Sequence, residues 1–105
     1  PDALSDLPIL PIEEIETAYY LRMQAQDRPG VLADVTRILG DLGISIEAIL
    51  QKEPASGATE ASIIMLTHRV REQHMNKAIK QIEALPAING AVVRIRLEHL
   101  NKDWI

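Results

Sequence analysis

Tyr19, Leu21, Met23 and Ala25 alternate with Tyr20, Arg22, Gln24 and Gln26, the period of two that a half-buried strand requires. Asp27-Arg28-Pro29-Gly30 interrupts it, and the period then changes. Val31, Leu32, Val35, Ile38, Leu39 and Leu42 recur at helical spacing, with Asp34, Arg37 and Asp41 opposite. Pro29 suits a first-turn position and Asp27 a cap or dipole partner, while Gly43 ends the helix as a left-handed residue. Period two returns from Ile44 to Gln51, and Pro54-Ala55-Ser56-Gly57 is a turn cluster. A third strand, Glu60 to Thr67, is apolar on both faces and therefore expected at the centre of the sheet. Met75, Ala78, Ile79, Ile82 and Leu85 form the stripe of a second helix from Glu72 to Leu85, stopped by Pro86. Asn89-Gly90 is read as the turn into a last strand, where Val93, Ile95 and Leu97 alternate with Val92, Arg94, Arg96 and Glu98.

The predicted order is βαββαβ. With right-handed crossovers it folds as an α+β, ferredoxin-like domain: a four-stranded antiparallel sheet with two helices on one face. The other face is expected to carry Arg22, Gln24, Glu47, Arg94 and Arg96, uncovered by its own chain, with the second strand on an edge. Open edges call for water or a partner.

Residues 1–17 read as a connector from an upstream domain. Pro1, Pro8 and Pro11 break any helix there, and Leu7, Ile9, Leu10 and Ile12 suit a strip lying on a neighbouring surface. Residues 18–98 make the domain and 99–105 a C-terminal tail. The chain has 105 residues, enough for one small core, which must be aliphatic because phenylalanine is absent. Cysteine is absent too, which removes disulfides and thiol chemistry and is compatible with the cytoplasm. A net charge of −4 without a basic block argues against nucleic acid, and no apolar run is long enough to span a membrane.

The segment Gln26 to Leu32 carries the candidate chemistry. A helix start presents unpartnered N–H groups and a partial positive charge. Gly30, lacking a side chain, lets a carboxylate approach them, and Asp27 stands ready to accept from an ammonium. A free α-amino acid carries both groups. The plain alternative is that Asp27 caps the helix, Pro29 sets its entry and Gly30 permits tight packing.

Asp27-Arg28-Pro29-Gly30-Val31-Leu32, followed by a helix and then Gly43-Ile44-Ser45-Ile46, resembles the ACT domain, a small regulatory fold that binds amino acids. The resemblance spans about residues 18 to 98. Tyr19-Tyr20-Leu21-Arg22 and the connector Leu7-Pro8-Ile9-Leu10-Pro11-Ile12 narrow it to the C-terminal regulatory regions of bacterial homoserine dehydrogenases. The family implies a homodimer joined through sheet edges, with the ligand between protomers. By that resemblance Asp27 holds the ammonium and the amides of Gly30, Val31 and Leu32 the carboxylate, while Ser45 and Ile46 approach from the partner. Relatives often carry Asn where this chain has Ser45 and Asp27, so the shorter Ser45 is expected to work through a water. Threonine is the implied effector, an upstream catalytic domain the implied partner, and NAD(P) the cofactor of that missing domain; none is expected in this chain.

Other readings are weaker. His68, His74 and His99 share no ligand spacing and read as solvated, as does the Glu13, Glu14, Glu16 run. Nothing assembles a nucleophile, base and oxyanion donors, so the chain is not expected to catalyse by itself. RNA recognition modules share the βαββαβ order but stack bases on sheet aromatics, and this chain has only Tyr19, Tyr20 and Trp104. A dimerisation module without a ligand is the nearest rival.

Overall fold

The alternation beginning near Ala18 is realised as a long central strand, β1 (Glu16–Gln26), in which Leu21 and Met65 of the neighbouring strand are fully buried. The computed structural model describes residues 14–54 and 56–97. After β1 come α1 (Val31–Asp41), β2 (Ile46–Lys52), β3 (Glu60–Thr67), a two-residue β4 (Val70–Arg71), α2 (Glu72–Glu83) and β5 (Ile88–Leu97). Most of the connector, Glu13 included, and Glu98, His99 and Trp104 lie outside the described residues.

The sheet is antiparallel throughout, with β3 between β2 and β1, and β1 between β3 and β5. This is the expected ferredoxin-like arrangement with one addition. β4 continues the column of β3 past a one-residue slip: Tyr20 pairs with Leu66, whereas Thr17 pairs with Val70. Thr67 bridges the slip. Its hydroxyl accepts from the Tyr19 N–H at 3.1 Å and donates to the His68 carbonyl at 2.9 Å. Thr67→Val keeps the shape but leaves that buried N–H unmet, so the unfolding free energy should fall by about 1–2 kcal/mol in urea titrations.

The core lies between one sheet face and the helices. Val35 and Leu39 of α1 and Met75, Ala78 and Ile82 of α2 are sealed against Leu21, Met23, Ile63 and Met65. Gly43 ends α1 at φ 74°, with the Ile44 N–H bonded to the Leu39 carbonyl at 2.9 Å. Among the described residues, no helix is long and apolar enough to cross a membrane.

Four expectations need correction. Asn89-Gly90 is not the turn into the last strand. The turn is Leu85 to Ile88, closed by an N–H to carbonyl bond of 3.1 Å, and Gly90, at φ 76°, sits in a bulge within β5. Pro29 precedes the N-cap, which is Gly30 itself, so it is not in the first turn of α1. Glu47 is the bulged residue of β2, where pairing shifts between Ile46 and Ala48. Lastly, Arg94 and Arg96 do not lie on the helix-free face. They pair with Leu21 and Tyr19, whose side chains point to the helices, so Val93, Ile95 and Leu97 are the ones turned outward. Partners on α2 explain the inversion: Arg96 meets Glu72 at 2.6 Å and Arg94 meets Asn76 at 2.6 Å.

Candidate functional site

The loop between β1 and α1 is fastened from outside itself. The Gln26 N–H donates to Ala87 O at 2.8 Å and the Asp27 N–H to Thr59 O at 3.0 Å. Gly30 then takes φ 90°, a left-handed conformation that only glycine adopts without strain, and aims the chain into α1. No side chain caps the helix, so Asp27 is not spent on that task. The first helical bond runs from the Asp34 N–H to Gly30 O. Among the described residues, the N–H groups of Gly30, Val31 and Leu32 have no protein acceptor.

These amides border a hollow of about 360 Å³ lined by residues 26–32, Gln51 and Ile63. Asp27, Gly30, Val31 and Leu32 therefore meet at one place. Its chemistry is that of an anion seat, made of unpaired donors and the positive end of a helix, with a carboxylate beside it. A β-carbon added at Gly30 would meet no protein atom within 4 Å, so the approach is open. Gln51 was not anticipated. The bulge at Glu47 turns it to the helix side of β2, opposite Ile63, and no local sequence pattern announces a bulge.

Ser45 and Ile46 are not part of this hollow within one chain. Ile46 pairs with Thr67, and the Ser45 carbonyl accepts from the His68 N–H at 2.9 Å. The loop instead lies beyond the Gln26–Glu60 pair, at the opposite end of β3. Seven residue steps along β3, from Glu60 to Thr67, separate the two ends, about 23 Å.

A second polar cluster lies between β1, β5 and the start of α2. Tyr19 and Glu72, both buried, are joined by a hydroxyl donation of 2.9 Å, and Arg96 donates to the same carboxylate oxygen. The Tyr19 hydroxyl, followed by the Arg96 guanidinium, holds the Glu72 carboxyl below its ordinary value, against the opposing effect of burial. Burial, then Glu72, pushes the Tyr19 hydroxyl upward. The cluster is internally satisfied, which marks it as structural. Among the described residues no three His, Cys, Asp or Glu side chains group as metal ligands.

The ACT domain family model matches residues 19–87. Over 102 residues the chain is 63% identical to a homoserine dehydrogenase of Methylobacillus glycogenes, covering 97% of this chain and 25% of that protein. It is 58% identical to the homoserine dehydrogenase of Pseudomonas aeruginosa, covering 96% of this chain and 23% of that one. The crystal structure of a homoserine dehydrogenase from Thiobacillus denitrificans superposes with TM-score 0.79 at 57% identity, covering 89% of this chain and 20% of that one. The regulatory subunit of aspartate kinase from Thermus thermophilus, in its ligand-free form, shares the fold at TM-score 0.59 and 20% identity, over 75% of this chain and 50% of that one. The chain thus spans about a quarter of the length of the curated relatives it matches. Strand order, the glycine-entered first helix and the family match over residues 19–87 agree: the chain belongs to the ACT domain family.

Proposed function

We propose that this chain is the C-terminal regulatory module of a homoserine dehydrogenase, and that it binds a free amino acid, threonine, at the first turn of α1. The observation that carries the reading is the uncapped N-terminus of α1, whose free amides open on a hollow beside Asp27. The ligand carboxylate sits on the amides of Gly30, Val31 and Leu32, and its ammonium on Asp27.

The rest of the pocket comes from a second copy. β2 is an open edge, with every residue from Glu47 to Lys52 exposed. Antiparallel pairing of two β2 strands about an axis near Ile49 reverses one against the other. Ser45 and Ile46 of one protomer then come beside the Gln51 end of its partner, next to the hollow. The separation within one chain thereby becomes proximity between two.

Residues 1–17 would connect to an upstream catalytic domain, residues 18–98 form the module and 99–105 a tail, all within the cytoplasm. β1 begins at Glu16. The chain carries no G-x-G-x-x-G dinucleotide fingerprint, so NAD(P) belongs to the catalytic domain and no residue here is assigned to it. Regulation requires threonine to bind one state of the enzyme better than another, a coupling of typically ~1–3 kcal/mol.

Calorimetry with threonine and a panel of other amino acids tests the proposal. Saturable heat with threonine, weakened about tenfold or more by Asp27→Ala, is the expected result. A folded dimer giving no heat at millimolar threonine would leave a dimerisation module alone, the reading that the exposed β2 edge also favours.

A further inference from the structure

The flank of α2 that runs along β5 gathers cations that are scattered in the sequence. Asn76, Lys77, Lys80 and Glu83 of α2 and Arg94 of β5 border a hollow of about 450 Å³, with half-buried Ile79 and buried Val92 also in its wall. Lys77 and Lys80 are at i,i+3 on the helix and Asn76 and Lys80 at i,i+4, spacings that bring β-carbons about 5–6 Å from each other. Asn76 accepts from an Arg94 guanidinium N–H at 2.6 Å, which anchors the third cation in the same small area. The charges there are not neutralised. Glu83, three residues beyond Lys80, is placed to pair with it, but its carboxylate accepts from the Val92 N–H at 2.7 Å. Glu72 is taken up by Tyr19 and Arg96. Among the described residues none of Lys77, Lys80 and Arg94 is ion-paired, in a chain whose net charge is −4. An ordinary solvated flank leaves its long side chains to water. Here a neutral amide fixes the Arg94 fork without cancelling its charge.

We propose that this hollow binds a small anion bearing a phosphoryl group. Three cations exceed what one carboxylate offsets. A phosphate monoester brings ~1.5–2 negative charges and three acceptor oxygens on one centre. That set matches the planar fork of Arg94 together with the ammonium groups of Lys77 and Lys80. Ile79 and Val92 supply apolar surface for the organic part of the ligand. The Glu83 carboxylate spends its Oε2 on Val92, and Oε1 is left to accept from a hydroxyl or ammonium on that part. The volume, about 450 Å³, falls in the range of small-molecule sites, ~300–1,000 Å³. The hollow shares no lining residue with the one at α1, so an anion here leaves the amino-acid seat free.

Amide chemical-shift titration of the 105-residue chain with inorganic phosphate and with pyrophosphate, at ~0.15 M chloride to screen diffuse attraction, tests this. Shifts should saturate at residues 76–83 and 92–94, with pyrophosphate binding the more tightly. Arg94→Gln and Lys80→Gln should each weaken binding about tenfold, the loss of one charge-assisted hydrogen bond. Both side chains are exposed, so the spectrum away from the hollow should stay as it is. Lys52→Gln, an equally exposed lysine on β2, should leave the affinity unchanged. Shifts confined to Gly30, Val31 and Leu32 would give anions to the α1 amides alone and overturn the proposal. Equal losses from Lys52→Gln and Lys80→Gln would overturn it as well, by showing general attraction to a cationic surface. Malonate bound as tightly as phosphate would remove the phosphoryl preference and with it the assigned ligand class.

Discussion

Gly30→Val is expected to weaken threonine binding by more than about 100-fold while costing the fold only about 1–2 kcal/mol. The two effects have separate causes. A β-carbon at position 30 would meet no neighbouring atom within 4 Å, so the cost to the fold is set by the backbone and not by a clash at that carbon. The added side chain occupies open space at the mouth of the hollow, where a carboxylate must reach the amides of Val31 and Leu32. Losing two hydrogen bonds to a charged group, each worth about 1.5–3 kcal/mol, sets the scale of the affinity loss. The stability loss comes from the left-handed backbone, φ 90°, which a β-branched residue tolerates poorly. Calorimetry reads the first and urea denaturation the second. Unchanged affinity would place the ligand elsewhere.

Glu72→Ala should lower the unfolding free energy by about 2–3 kcal/mol, since it strips a partner from the buried Tyr19 hydroxyl and from Arg96. Glu72 also opens α2, where a carboxylate favours the helix dipole. The loss depends on pH. In the folded chain the Glu72 carboxyl titrates below its ordinary value of 4.5, so its contribution is complete above that value and disappears as pH falls further. Tyr19 is raised above its ordinary 10.0, so neutral Tyr19 stabilises the fold below that value and the benefit is lost as pH rises through the folded value. Denaturation of wild type and variant from neutral pH downward should show the gap narrowing below pH 4.5. A constant gap would mean that the carboxylate's charge contributes nothing.

Where one periodicity governs a segment, the sequence was a good guide. The alternation of β1, the stripes of both helices, the left-handed Gly43 and the central place of β3 each follow from local pattern plus the right-handed crossover. Asp27, Gly30, Val31 and Leu32 come together because they are neighbours in sequence at one strand-to-helix junction. The features that escaped were set by interactions between distant residues. In β5 hydropathy alone put Val93, Ile95 and Leu97 toward the core and Arg94 and Arg96 on the helix-free face, the reverse of what the structure holds. The ion pair to Glu72, on a separate element, decided the orientation. The bulges at Glu47 and Gly90 were invisible for a related reason: inserted residues change the register without changing composition, and the single one at Glu47 also reverses the facing of β2 beyond it.

The strands that connect the module to the rest of the chain are neighbours. β1 enters at Glu16 and β5 leaves at Leu97, tied by a bond of 2.7 Å from the Thr17 hydroxyl to the Leu97 carbonyl. The amide-lined hollow lies at the far end of β1, ten residues or about 33 Å away. Occupancy there cannot tug directly on the leads. Any coupling between the two ends would have to run the length of β1, which β3 and β5 hold on both sides.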